Sequence, residues 1–205
     1  FNKLKGKSPK NNQCCFILEN HGIIASATSI NKLISFTELI TEKAEKSLNV
    51  NFEHYKKTTE ISTELRLVGY KNMSVLCSED LIINNFLKKF NISKVSEPLN
   101  PDSLLYCGLG LMSSNGNFKR SLLKYKYKYR NYPRVIKIKE RIYFVAENIL
   151  KAKEIEDVFK SHLYLYSGEI EKRSLSKDDI KRLESYNPQK NRLRFWFDYE
   201  GKKEK

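Results

Sequence analysis

A chain of 205 residues fits one large domain or two small ones, and it can bury about 70% of the surface its unfolded form exposes. An apolar share of 40%, with 11 Phe and 12 Tyr, is that of a folded protein, and only 8 Gly and 5 Pro exclude a collagen-like or linker-like chain. The formal charge of +14, from 38 basic against 24 acidic residues, draws anions without choosing among nucleic acid, anionic lipid and phosphorylated metabolites.

The 4 cysteines, Cys14, Cys15, Cys77 and Cys107, contain no C-x-x-C pair and read as reduced, buried thiols. No run of about 18 apolar residues occurs, and residues 1–12 hold neither a hydrophobic signal core nor an initiator Met. The expectation is a cytoplasmic protein with no membrane partner, and a piece of something longer.

In chain order, Cys14-Cys15-Phe16-Ile17-Leu18 is a short continuous apolar run that reads as a buried strand. A polar turn follows at Glu19-Asn20-His21-Gly22, then Ile23-Ile24-Ala25, with Thr28 or Ser29 as the N-cap of a helix. In that helix Leu33, Phe36, Ile40, Ala44 and Leu48 recur at spacings of three or four, while Glu38, Glu42, Glu45, Lys43 and Lys46 form a solvated face. A second helix is predicted over 52–67, ending near Gly69, and the pattern then restarts. Residues 73–77 read as a strand, and 80–90 as a helix with Leu81, Ile82, Phe86, Leu87 and Phe90 inward. Pro98 and Pro101 bracket a loop, and Leu104-Leu105-Tyr106-Cys107 reads as a strand. Residues 135–138 and 142–145 read as strands joined by a turn at Lys139-Glu140-Arg141, followed by a helix over 149–165. Strands alternating with helices predict an α/β fold, in two units of residues 1–68 and 72–205.

Three features could carry chemistry. His21 sits on a polar turn beside Gly22, where a neutral imidazole could bind Zn²⁺ if two or three more ligands converged; a ring merely satisfied by a backbone hydrogen bond is the alternative. Neither His54 nor His162 has metal-motif spacing. Gly108-Leu109-Gly110 after an apolar run lacks the third glycine of a dinucleotide loop and reads as a tight turn. The stretch Lys124-Tyr125-Lys126-Tyr127-Lys128-Tyr129-Arg130 alternates strictly, which fits a strand, although a helix is also open. Interleaved Tyr and Lys could stack and neutralise a single-stranded nucleic acid; Lys stems lying over apolar surface are the simpler reading, and nucleic acid is not the expected partner.

The residues around His21 also carry a likeness. Phe16-Ile-Leu-Glu-Asn-His-Gly-Ile-Ile, continued by Ser29-Ile-Asn-Lys-Leu-Ile-Ser-Phe-Thr-Glu-Leu-Ile-Thr-Glu-Lys-Ala-Glu, resembles the second half of the class II aldolase/adducin domain. The resemblance implies that His21 is the third ligand of a catalytic Zn²⁺. The other essential parts of the family's site, a pair of histidines in H-x-H arrangement and a carboxylate that acts as acid/base, fall upstream of this point and have no counterpart in the chain, so no aldolase activity is expected of this segment alone. In a complete protein the resemblance implies zinc-assisted, reversible carbon–carbon cleavage of a hydroxy-carbonyl compound, often a phosphorylated sugar, by a self-associating protein. Ala27 stands where many relatives have glycine.

Pro101-Asp102-Ser103-Leu104-Leu105-Tyr106-Cys107-Gly108 resembles the segment after the aldolase half in bifunctional aldolase/short-chain dehydrogenase proteins, with Ser103 in place of their histidine. Tyr132-Pro133-Arg134-Val135-Ile136 and Leu175-Ser176-Lys177-Asp178-Asp179 follow in the same order. Together these readings predict strand-helix layers of a partial class II aldolase domain followed by a smaller α/β unit. The alternative is a non-catalytic basic module that binds nucleic acid or another polyanion.

Overall fold

The computed structural model describes residues 13–90, 92–95, 97–167 and 173–185. The polar lead-in of residues 1–12 lies outside them. The chain is α/β, as its pattern predicts, and divides into two compact units between Glu53 and His54. The boundary expected at 68–72 therefore falls inside the second unit. The second helix supplies Ile61 and Leu65, both fully buried, to that unit's core.

In the first unit, β1 (Cys14–Leu18) and β2 (Gly22–Ser26) form an antiparallel hairpin in which Leu18 faces Gly22 and Cys14 faces Ser26. Helix α1 (Ile30–Leu48) starts where Ser29 Oγ accepts the Lys32 N–H at 3.4 Å. It ends at Asn49, whose left-handed φ of 52° lets its N–H reach the Glu45 carbonyl. Leu33, Phe36, Ile40 and Ala44 form the half-buried stripe the spacing predicts, whereas Leu48 is exposed. Cys14–Leu18 is a strand, but not a buried one: no described residue of this unit is buried, and Ile17 is 82% exposed. Two strands and one helix have too few layers to enclose a side chain on every side.

The second unit is built on a four-stranded sheet of order β3-β6-β5-β4, from β3 (Ser74–Cys77), β4 (Met112–Ser114), β5 (Val135–Ile138) and β6 (Arg141–Ala146). The pairs β3/β6 and β5/β6 are antiparallel, and β4/β5 is parallel. A parallel pair needs a crossover, here α5 (Phe118–Tyr129). Successive residues of β6 take opposite faces. Ile142, Phe144 and Ala146 join one core, with Ile83, Phe86, Ala152, Ile155, Phe159 and Leu163. Tyr143 and Val145 join the other, with Ile61, Leu65, Phe118, Leu122 and Tyr125. Thus α3 (Leu81–Lys89), α4 (Pro101–Cys107) and α6 (Ile149–Ser167) cover one face, and α2 (Glu53–Leu67) and α5 the other. This is why β6 is apolar at every position from Ile142 to Ala146 rather than at alternate ones.

Two expectations change. Leu104-Leu105-Tyr106-Cys107 is the end of helix α4, not a strand. Its start is fixed by Asn100, whose Oδ1 accepts the Ser103 N–H at 2.7 Å in a capping box, with Pro101 in the first turn. In α3 the inward residues are Ile83 and Phe86, with Leu87 half-buried against the same core as expected, whereas Leu81, Ile82 and Phe90 are exposed, Leu81 at 76%. Strand β4, a single 3-10 turn at Ile92–Val95 and helix α7 (Lys177–Ser185) complete the described elements. No helix among the described residues is long and apolar enough to cross a membrane.

Candidate functional site

Both neighbours of His21 have backbone roles. Asn20 takes φ of 61° and Gly22 φ of 102°, conformations that Asn and Gly tolerate and other residues resist. The His21 N–H closes the turn onto the Leu18 carbonyl at 3.2 Å. The Asn-His-Gly pattern is therefore what this hairpin tip requires of its flanks, and the turn leaves the identity of the central residue open.

The imidazole itself is exposed at the tip, with Nδ1 3.0 Å from the Glu19 carbonyl. A carbonyl only accepts, so Nδ1 carries the proton, and in the neutral ring Nε2 keeps its lone pair. That is the tautomer and the kind of backbone anchor found at metal-ligating histidines. One imidazole does not make a metal site, however. No group of three or more His, Cys, Asp and Glu among the described residues could hold an ion, so the donors present do not fit a zinc site by themselves.

The other histidines do different work. His54 lies against Tyr55, with ring centroids 4.0 Å apart, and its Nε2 is 3.4 Å from Glu79. His162, 4% exposed in α6, is buried deeply enough that its pKa is pushed down to about 4. It borders a cleft of about 270 Å³ with Asn100, Asp102, Ser103, Tyr106 and Ser161. Ser103 is committed within that cleft: its Oγ accepts the Leu99 and Asn100 N–H groups at 3.1 Å each and donates to the Asn100 carbonyl at 2.9 Å. Ser103 thus builds the start of α4.

Gly108, first residue of the G-x-G, is the C-cap of α4 at φ of 80°, with its N–H on the Leu104 carbonyl. It is a helix terminator, in keeping with the tight-turn reading. The same helix end is held by Arg134, a buried side chain that sequence reasoning passed over, whose guanidinium donates to the Leu105 and Tyr106 carbonyls. A lone arginine just before the apolar run of β5 was its available signal. Also unforeseen is the buried pair in which Ser78 Oγ donates to Glu156 Oε1 at 2.5 Å, tying the end of β3 to α6.

The Lys/Tyr stretch, for which strand and helix were both open, is helix α5. Phe118, Leu122 and Tyr125 are buried on its inner side, and Tyr125 Oη donates to the Gly110 carbonyl at 2.9 Å. Lys126 also turns inward, donating to the Val68 carbonyl at 2.6 Å with its ammonium 5.1 Å from the Tyr70 ring centroid. Tyr127 points out and is 77% exposed.

Compared with known proteins, the sequence matches no family model and no curated protein. Among solved structures it has a partial likeness to YgbL from Klebsiella pneumoniae, whose assignment as an aldolase/epimerase/decarboxylase is itself a proposal. The likeness has a TM-score of 0.37 at 11% identity and covers 53% of this chain and 55% of that one. The matched part thus spans about half of the YgbL chain, and at that TM-score the likeness carries neither fold nor chemistry across.

Proposed function

We propose that the first unit contributes one imidazole, His21, to a divalent-metal site of the class II aldolase kind, and that the remaining donors come from outside the described residues. The complete protein would then be a zinc-dependent lyase acting reversibly on a hydroxy-carbonyl compound such as a phosphorylated sugar. One observation supports the reading: the Glu19 carbonyl bond, which alone would only satisfy the ring, is made by Nδ1 and leaves Nε2 exposed with its lone pair. The sequence resemblance that runs from the hairpin into α1 supplies the choice of metal and reaction class.

Zinc analysis tests this on the protein as its gene encodes it, compared with its His21→Ala variant. About one equivalent of zinc is expected in the wild type, with loss of both metal and retro-aldol cleavage in the variant, because a zinc site takes at least three protein ligands. Equal zinc in both proteins, or none in either, would overturn the reading.

A further inference from the structure

We propose that the outward face of α5 binds single-stranded nucleic acid, with phosphates on Arg120, Lys124 and Lys128 and a base stacked on Tyr127. This inference is independent of His21 and of any metal chemistry.

Helix α5 carries five cations, Lys119, Arg120, Lys124, Lys126 and Lys128, and no acidic residue, and a sixth cation, Arg130, is its C-cap. Arg120, Lys124 and Lys128 stand at i, i+4 and i+8, so one row of like charge runs along an exposed side. Like charges at this spacing oppose the helix, and α5 holds no carboxylate to offset them. A polyanion lying along the row removes that repulsion. Only Lys126 has its charge turned inward, toward Val68 and Tyr70.

The second observation is aromatic. Tyr127 is 77% exposed, though its hydroxyl and ring are large enough to be covered elsewhere in the same helix, as those of Tyr125 are. The Arg130 guanidinium lies 5.3 Å from the Tyr127 ring centroid, and the Lys128 ammonium 4.6 Å from that of Tyr129. A flat ring in a field of cations is the arrangement that stacks an unpaired base while neighbouring charges hold its backbone.

The same geometry argues against the other polyanions. A helix that lies on a membrane must turn a wide apolar face to the lipid, whereas the apolar side of α5 is buried in the core, leaving Leu123 and Tyr127 outside. A duplex keeps its bases stacked inside, where Tyr127 has nothing to stack on.

Fluorescence anisotropy with a labelled oligouridine of about a dozen nucleotides tests the proposal, since single-strand sites span roughly 4–16 nucleotides. Three phosphate contacts predict a log affinity against log salt slope of roughly −2, from about −0.7 per contact. Tyr127→Ala should weaken binding on the order of tenfold, the share of one stacked base. The double variant Lys124→Glu/Lys128→Glu should lose more than half of the salt slope. A double variant of equal charge on α1, Lys43→Glu/Lys46→Glu, should bind as wild type does. All these side chains are exposed, so each variant should keep a cooperative thermal transition, shifted only by small charge effects, and a folding defect is separable from a binding one. The proposal is overturned by equal affinity of Tyr127→Ala and wild type, by equal loss in the α1 control, or by equal affinity for a duplex of the same length. Tighter binding to phosphatidylserine vesicles than to the strand, or no saturable binding, would overturn it as well.

Discussion

Acidification offers a direct measure of how deeply α6 is packed, through His162. Its ring is 4% exposed, 5.2 Å from the Tyr166 ring and 6.2 Å from that of Phe159, and Nδ1 has no hydrogen-bond partner among the described residues. Burial is the main reason its pKa is lowered from 6.5 to about 4, opposed only in part by the bond its ring makes to the Val95 carbonyl. The folded protein therefore keeps the ring neutral at pH values where the unfolded chain already binds a proton. Above pH 6.5 the stabilisation is complete; it is lost as pH falls from 6.5 toward 4, and below that the loss stays constant. At about 1.4 kcal/mol per pH unit, the span amounts to roughly 3 kcal/mol, a large share of the about 5–15 kcal/mol typical of a whole domain. Urea denaturation of the wild type and of His162→Gln between pH 7 and pH 4 would read it. The variant starts less stable, having lost the ring's packing, but lacks this part of the acid dependence. Asp80 contributes little in this window. Burial pushes its carboxyl up, but the Ile83 N–H, Lys160 and the Ile82 N–H outweigh that and hold it below 3.8, so its share is lost at lower pH. Parallel pH profiles for the two proteins, or a ring that titrates near 6.5 by NMR, would refute the reasoning.

Two further outcomes follow from burial. Ser103→Ala removes the acceptor of two N–H groups at the entrance of α4, both bonds being 3.1 Å, and should destabilise the protein by about 1–3 kcal/mol in urea titration. A change below a few tenths would mean that water replaces the hydroxyl. Thiol titration should be biphasic. Cys14 and Cys15 on the hairpin are partly exposed, whereas Cys77 and Cys107 are buried, and burial pushes the Cys107 thiol up to about 12. Two thiols should react quickly with an aromatic disulfide and two only on unfolding. Four fast thiols in the native protein would contradict the packing of β3 and α4.

Where the sequence was legible, the signal was local. Ser29 as a cap, the spacing of Leu33, Phe36, Ile40 and Ala44, and the two apolar runs around Lys139-Glu140 each encode one element in consecutive residues. Leu104-Leu105-Tyr106-Cys107 failed because a short apolar run has no period of its own. The decisive information lay upstream, in an Asn-Pro-Asp-Ser capping signal that belongs to a helix start. The strict Lys/Tyr alternation likewise has two solutions, and the core chose between them by taking Phe118, Leu122 and Tyr125 at helical spacing.

For the sites, the sequence by itself determined that a histidine stands between two residues suited to positive φ, and that cations and tyrosines alternate over residues 124–130. Only the tertiary structure decided that the His21 ring is anchored through Nδ1, that Ser103 is consumed in a cap, and that Tyr127 faces solvent while Tyr125 does not. The physical reason is that turn and cap preferences act between neighbours in the chain. Burial and hydrogen-bond pairing depend instead on partners far away in it: Gly110 for Tyr125, Leu105 for Arg134, Val95 for His162.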